Sequence, residues 1–209
     1  LYYQYLYNIP VEKDSTSGFS IINALDVYSL LDTKPLVSEG TGKNYGADIS
    51  LERPFANNFY VLATGSIFKS TYTTYGGKEY NTRFNRGYTF NIVGGKEFKL
   101  NQSGRKVIGL NGKVLTNGGS RESVIDVAQS MATGKEKYVL DQYFTKQVPS
   151  YFRVDGGIYY KVNNKRATHT IQLDVQNITN RKNFYFSYYD YKSATVKTVN
   201  QLGFFPNIS

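Results

Sequence analysis

The residues best suited to chemistry in this chain recur at every second position. Arg153 and Asp155 alternate with apolar neighbours in SYFRVDGGIYYK, and Gln172, Asp174 and Gln176 do the same in THTIQLDVQ. A period of two puts each set on one face of a strand, where opposite charges on neighbouring strands can pair across the wall. Their expected role is a hydrogen-bonded network, with direct ligand contact the minority reading. Asp48, spaced likewise from Ser50 and Glu52, could hold a cation but suits a water-facing lining better, so no metal is assigned. His169 is the only histidine and lies on an apolar face, with no Ser or carboxylate fixed beside it, which makes it an interface residue rather than a base. The absence of cysteine removes thiolate chemistry and any disulfide framework. GTGK at Gly40 to Lys43 lacks the spacing and the Ser or Thr of a phosphate loop. Asn177-Ile-Thr179 and Asn207-Ile-Ser209 are sequons in form only. No catalytic residue and no cofactor is expected.

Aromatics offer a second kind of chemistry: the chain carries 20 Tyr and 13 Phe. Tyr72, Tyr75, Tyr80, Tyr143, Phe144, Tyr188, Tyr189 and Tyr191 fall in or beside expected loops. Their flat faces and hydroxyls suit the rings of sugars or siderophores. The competing reading is an aromatic girdle at a membrane interface.

The elements that must position these groups are strands. In the stretch Val148 to Asn183, Phe152, Val154, Ile158, Tyr160 and Val162 oppose Arg153, Asp155, Tyr159 and Lys161. After a turn of about four residues, His169, Ile171, Leu173 and Val175 oppose Thr170, Gln172, Asp174 and Gln176. Both runs exceed the ~5 to 6 residues usual for globular strands and match the ~9 to 11 of a tilted membrane-spanning strand. Further strands are expected over Leu1 to Ile9, Asn44 to Arg53 (closed by Pro54), Phe59 to Tyr72, Phe84 to Phe98, Lys106 to Asn117 and, in part, Leu202 to Ser209. Arg86 breaks the alternation of the Phe84 strand and is read as a snorkelling interface cation. Asn111-Gly112 looks like a hairpin turn but sits inside unbroken alternation, so the strand is expected to run through it. Short turns fall at Asn57, Asn101 and Asn163. Long loops are expected up to Gly42, with Gly40 and Gly42 as breakers, at Thr73 to Thr82, at Gly118 to Pro149 with a helical turn around Ser123 to Met131, and at Arg181 to Gln201. About eight strands with short turns and long loops in alternation match the asymmetry of outer-membrane barrels. The fold class is therefore all-β, an antiparallel transmembrane β-barrel or part of one.

Bulk composition is compatible with this. Mean hydropathy is −0.44 and no apolar run reaches ~18 residues, so a membrane-spanning helix is excluded while a barrel is not. The net charge of +9 suggests an anionic neighbour. Its cations are scattered, so nucleic acid is not expected and outer-membrane lipid with lipopolysaccharide is.

YYQYLYNIPV, GTGKNYGADISLERPF, NTRFNRGYTFNIVGGKEF, TNGGSRESVID and QLGFFP, and above all YFRVD with LDVQNITNRKN, together resemble the C-terminal barrel region of TonB-dependent outer-membrane receptors of the Bacteroidetes type. The resemblance runs along almost the whole chain. It implies a barrel of about 22 antiparallel strands plugged by an N-terminal domain. Neither plug nor TonB box is in this sequence, which reads as a C-terminal segment, residues 1–209, of that barrel. The implied function is energy-coupled import of a siderophore, cofactor, glycan or peptide. The implied partners are that small solute, the TonB complex acting through the plug, and a surface lipoprotein. The implied location is the outer membrane with loops outside, the alternating polar set of Asp48, Arg153, Asp155, Gln172, Asp174 and Gln176 facing the lumen. Two other readings stay open: a self-contained structural or adhesive barrel, and a soluble cell-surface β-rich binding module.

Overall fold

A computed structural model of the chain describes residues 1–24 and 33–209. Its strands are β1 (Tyr2–Glu12), β2 (Leu36–Ala56), β3 (Phe59–Thr73), β4 (Glu79–Asn81), β5 (Tyr88–Lys99), β6 (Lys106–Asn117), β7 (Arg121–Glu122), β8 (Lys146–Gln147), β9 (Tyr151–Asn163), β10 (Thr168–Gln176), β11 (Phe184–Asp190), β12 (Thr195–Asn200) and β13 (Phe205–Ile208). One short helix, α1 (Val127–Thr133), starts on an Asp126 cap and ends at Gly134 in the left-handed region. The protein is all-β and antiparallel.

The main sheet is a meander in the order β1-β2-β3-β5-β6-β9-β10-β13, with β4 added beside β3. From β1 to β10 each long strand pairs with the next long one in sequence, while β10 passes over the separate β11–β12 hairpin to pair with the short β13. Asn57 and Asn58, at φ of 52° and 64°, form the tight β2–β3 turn. The sheet does not close: among the described residues β1 and β13 each have a partner on one side only.

Register aligns the two faces. Ala63 lies opposite Ile92, Ile92 opposite Val114, and Val114 opposite Val154, so one apolar row crosses four strands. Leu110, Ile158, Leu173 and Ile208 form a second such row. Phe152, Val154, Ile158, Ile171, Leu173 and Val175 all share this face. Nothing covers it among the described residues: Ile49, Leu51 and Ile171 are 62%, 65% and 67% exposed. The opposite face carries Asp48, Asn91, Glu97, Arg153, Asp155, Gln172 and Asp174. On that polar face the Tyr159 ring lies over Gly109, where a Cβ would collide with it, and its hydroxyl donates to Glu97 Oε1 at 2.8 Å.

Most of the buried side chains lie at one end of the sheet or in the connections beyond it, Val107 near the other end being an exception. Strict antiparallel order sends the described parts of the β1–β2 connection (13–24 and 33–35) and the connections 74–87, 118–150 and 177–204 to one end, and the turns at 57–58, 100–105 and 164–167 to the other. Val11, Tyr72, Tyr80, Val148, Tyr189 and Ser130 are buried at the long-connection end. Hydrogen bonds tie three of these connections together: Gly18 N–H to Leu140 O at 2.7 Å, Lys78 Nζ to Asp141 O at 3.0 Å, and Arg121 N–H to Arg83 O at 3.1 Å. They form a packed cap on the sheet.

Several sequence expectations need correction. Gly40 and Gly42 do not break a strand; β2 begins at Leu36 and runs through both, because a Cβ at Gly40 would lie 2.6 Å from Val11 Cγ1 and prevent β1 from packing there. The part of that expected loop at 25–32 lies outside the described residues. Pro54 does not end β2 either: the strand continues to Ala56 across an irregularity between Arg53 and Ala56, a place where the missing N–H is tolerated. β5 starts at Tyr88, not Phe84. Gly87, at φ 84°, turns the chain just before it, so Arg86 belongs to a loop and is no strand-borne interface cation. Loop Thr73 to Thr82 contains β4, and loop Arg181 to Gln201 contains the β11–β12 hairpin. The strand through Asn111-Gly112 is found as expected, with Gly112 between Gly94 and Gly156.

Candidate functional site

The polar network is organised along strands rather than across them. Arg153 lies side-on against its own strand neighbour Asp155, with Nε at 3.0 Å and Nη2 at 2.7 Å from Oδ2. Asp155 Oδ1 accepts from the Asn177 backbone N–H at 2.9 Å, so the carboxylate is held from behind while it holds the guanidinium. Gln172 likewise donates to Asp174 in its own strand, at 2.6 Å. The expected pairing of Arg153 with Asp174 does not form, because the register puts Asp174 opposite Gly157 and Gln172 opposite Tyr159. Asp48 accepts from Ser66 on the adjacent strand at 2.5 Å. Among the described residues, an ion pair that does cross strands on this face is Lys161 with Glu97, at 2.6 Å.

The eight expected loop aromatics divide into buried and accessible. Tyr72 and Tyr80 are 1% and 4% exposed and stack on each other at 5.8 Å, and the Tyr72 hydroxyl donates to Gly18 O at 2.5 Å. They hold the cap together and cannot meet a ligand. Tyr189 is buried as well. Tyr143 is half-buried among Phe19, Tyr138 and Phe144, and burial pushes its hydroxyl up to about 12. Burial and the Glu136 carboxylate that accepts from its hydroxyl raise Tyr138 too. Tyr75, Tyr188 and Tyr191 remain exposed on the cap.

The β11–β12 hairpin is clamped by carboxylates from the 118–150 connection. Glu122 accepts from the Ser187 N–H and hydroxyl, both at 3.1 Å, and Glu136 accepts from the Tyr189 N–H at 2.9 Å. At the hairpin tip Lys197, then the Ser193 hydroxyl and the Lys192 N–H, hold Asp190 down to about 2.

Clamped this way, the hairpin borders a half-open cavity of about 670 Å³ against the polar face at the ends of β9, β10 and β13. Arg153 and Gln176 reach it from the sheet, Tyr185 and Asn200 from the hairpin, and Tyr151 and Phe205 from the strand ends. Only Arg153 and Gln176 come from the expected set. Tyr151, Tyr185, Asn200 and Phe205 were not foreseen; the one signal for Tyr185 was its place in the aromatic run FYFSYYD. Among the described residues no group of three His, Asp or Glu comes together to hold a metal ion. No described helix is long and apolar enough to cross a membrane, which says nothing of strands. No family model, curated protein or solved structure matches the chain.

Proposed function

We propose that this chain is wall and loop cap of an outer-membrane β-barrel that imports a solute by energy coupled through TonB. What carries this reading is the continuous apolar face, left uncovered across the sheet and edged by aromatics and cations. At the cap end Tyr3 stacks on Tyr45 at 6.5 Å with Lys43 and Lys69 on the same face; at the other, the Arg53 guanidinium stands 3.9 Å over Phe59 and Lys96 5.2 Å from Phe98. Tyr88 and Phe98 bracket the apolar part of β5. Their separation is about 33 Å along the strand, which at a tilt of ~40° projects to about 25 Å, the height of a barrel's apolar band. The polar face then lines the lumen, the short turns face the periplasm, and the cap with its cavity faces outward to capture solute. The family resemblance supplies the TonB coupling. The open sheet speaks against a self-contained eight-stranded barrel, since lipid cannot satisfy two free edges. The test is uptake by intact cells of a solute that the purified protein binds: uptake should stop when the proton-motive force is collapsed, and uptake insensitive to that treatment overturns the reading.

A further inference from the structure

We infer that the cavity under the β11–β12 hairpin is a binding site for a neutral sugar ring of the solute. This rests on the proposal that the cap captures what the barrel imports, and it names the ligand from the site's own chemistry.

Asp155 neutralises the charge of Arg153, so the pair does not present the unopposed cation that selects a carboxylate or phosphate. An anion entering here would approach the Asp155 carboxylate as well. What the pair does present is direction. With Nε and Nη2 engaged by Asp155, and Asp155 fixed by the Asn177 N–H, the Nη1 edge is left to donate at a set angle. Around it stand groups that can both donate and accept: the amides of Gln176 and Asn200 and the hydroxyls of Tyr151 and Tyr185, none of which has a hydrogen-bond partner among the described residues. The other amides at the cavity are already committed. Asn183 bonds both backbone groups of Phe152, and Gln201 donates to Phe184 O.

Flat rings complete the site, in Tyr185 and Phe205. A cleft whose one lining guanidinium is already paired, with mixed donors and acceptors and aromatic faces, matches a molecule whose hydroxyls do both and whose C–H faces are apolar. The lining residues offer no unopposed cation to the charge of an iron chelate, and a large apolar cofactor would leave without partners whichever of these polar groups it covered. A volume of about 670 Å³ is room for a short saccharide.

The experiment uses the protein purified from outer membranes in detergent, applied to an array of neutral oligosaccharides and the same sugars carried as uronates. Neutral glycans should bind. Tyr185→Ala and Arg153→Lys should each weaken that binding roughly tenfold, while Lys165→Ala, exposed in the turn at the opposite end of the sheet, leaves it unchanged. Binding of no neutral glycan, a preference for the uronates, or unchanged affinity in Tyr185→Ala overturns the inference. A glycan that binds with this mutational pattern but is not accumulated by energised cells leaves the sugar site standing and removes the import reading, so the two fail separately.

Discussion

Tyr72 shows how a residue's environment redirects its chemistry. From the sequence it is a loop aromatic open to solute; in the fold it is a buried pillar whose hydroxyl closes on Gly18 O. Tyr72→Phe removes that donor and leaves a buried carbonyl unpaired, a cost of about 1 to 2 kcal/mol to the cap. Amide exchange of Gly18, whose N–H donates to Leu140 O, should accelerate accordingly, while Tyr80→Phe, whose hydroxyl has no such partner, should change it little. Asp190 gives a pH signature. Its folded value of about 2 lies below the ordinary 3.8, so its contribution to the hairpin tip is complete above about pH 4 and is lost as pH falls toward 2. Exchange at residues 190–197 should rise across that window, and Asp190→Asn should abolish the rise. Neither role was readable from the sequence, because both depend on partners supplied by other segments or by a turn that looked like loop.

Where alternation was unbroken, as in β3, β6 and β9, the elements could be read from the sequence almost to the residue, including the passage through Asn111-Gly112. It failed where other demands governed the residue types. Leu36 to Lys43 is too rich in small and polar residues to show a face, because β1 packs closely against its glycines. Phe84 continues the period of β5 numerically, but Gly87 turns the chain. The β11–β12 hairpin has aromatics on both sides, since one side is clamped to the cap. The cavity was hidden for a further reason: Tyr151, Gln176, Asn200 and Phe205 are far apart in sequence and meet only through the β10–β13 register and the docked hairpin. For the sheet itself, Ile92→Arg places a cation in the middle of the apolar row and should cost ~2 to 4 kcal/mol in liposome refolding of the protein purified from outer membranes. Ser66→Arg, on the polar face beside Asp48, should cost far less. Equal costs at the two sites would contradict the assignment of faces.

At the scale of the molecule, stability is divided between a cap with a buried core and a sheet whose apolar face nothing covers among the described residues, a face that lipid would finish in the proposed barrel. The isolated 209-residue chain, with β1 and β13 each open on one side, should therefore not refold in detergent to a monodisperse, heat-modifiable monomer. The lipid contact can be read strand by strand. The chain itself contributes no cysteine, so a single Cys placed in turn at positions 89 to 97 of β5, in protein purified from outer membranes and cleared of any cysteine outside this chain, carries a spin label without interference. Collision of the label with oxygen, which concentrates in lipid, and with a water-soluble nickel complex should alternate with a period of two once that protein is embedded in lipid. Oxygen contact should peak at Phe90 and Ile92, and nickel contact at Thr89, Asn91 and Glu97. Uniform nickel access at every position, or oxygen maxima on the odd-numbered residues, would contradict a lipid-facing wall.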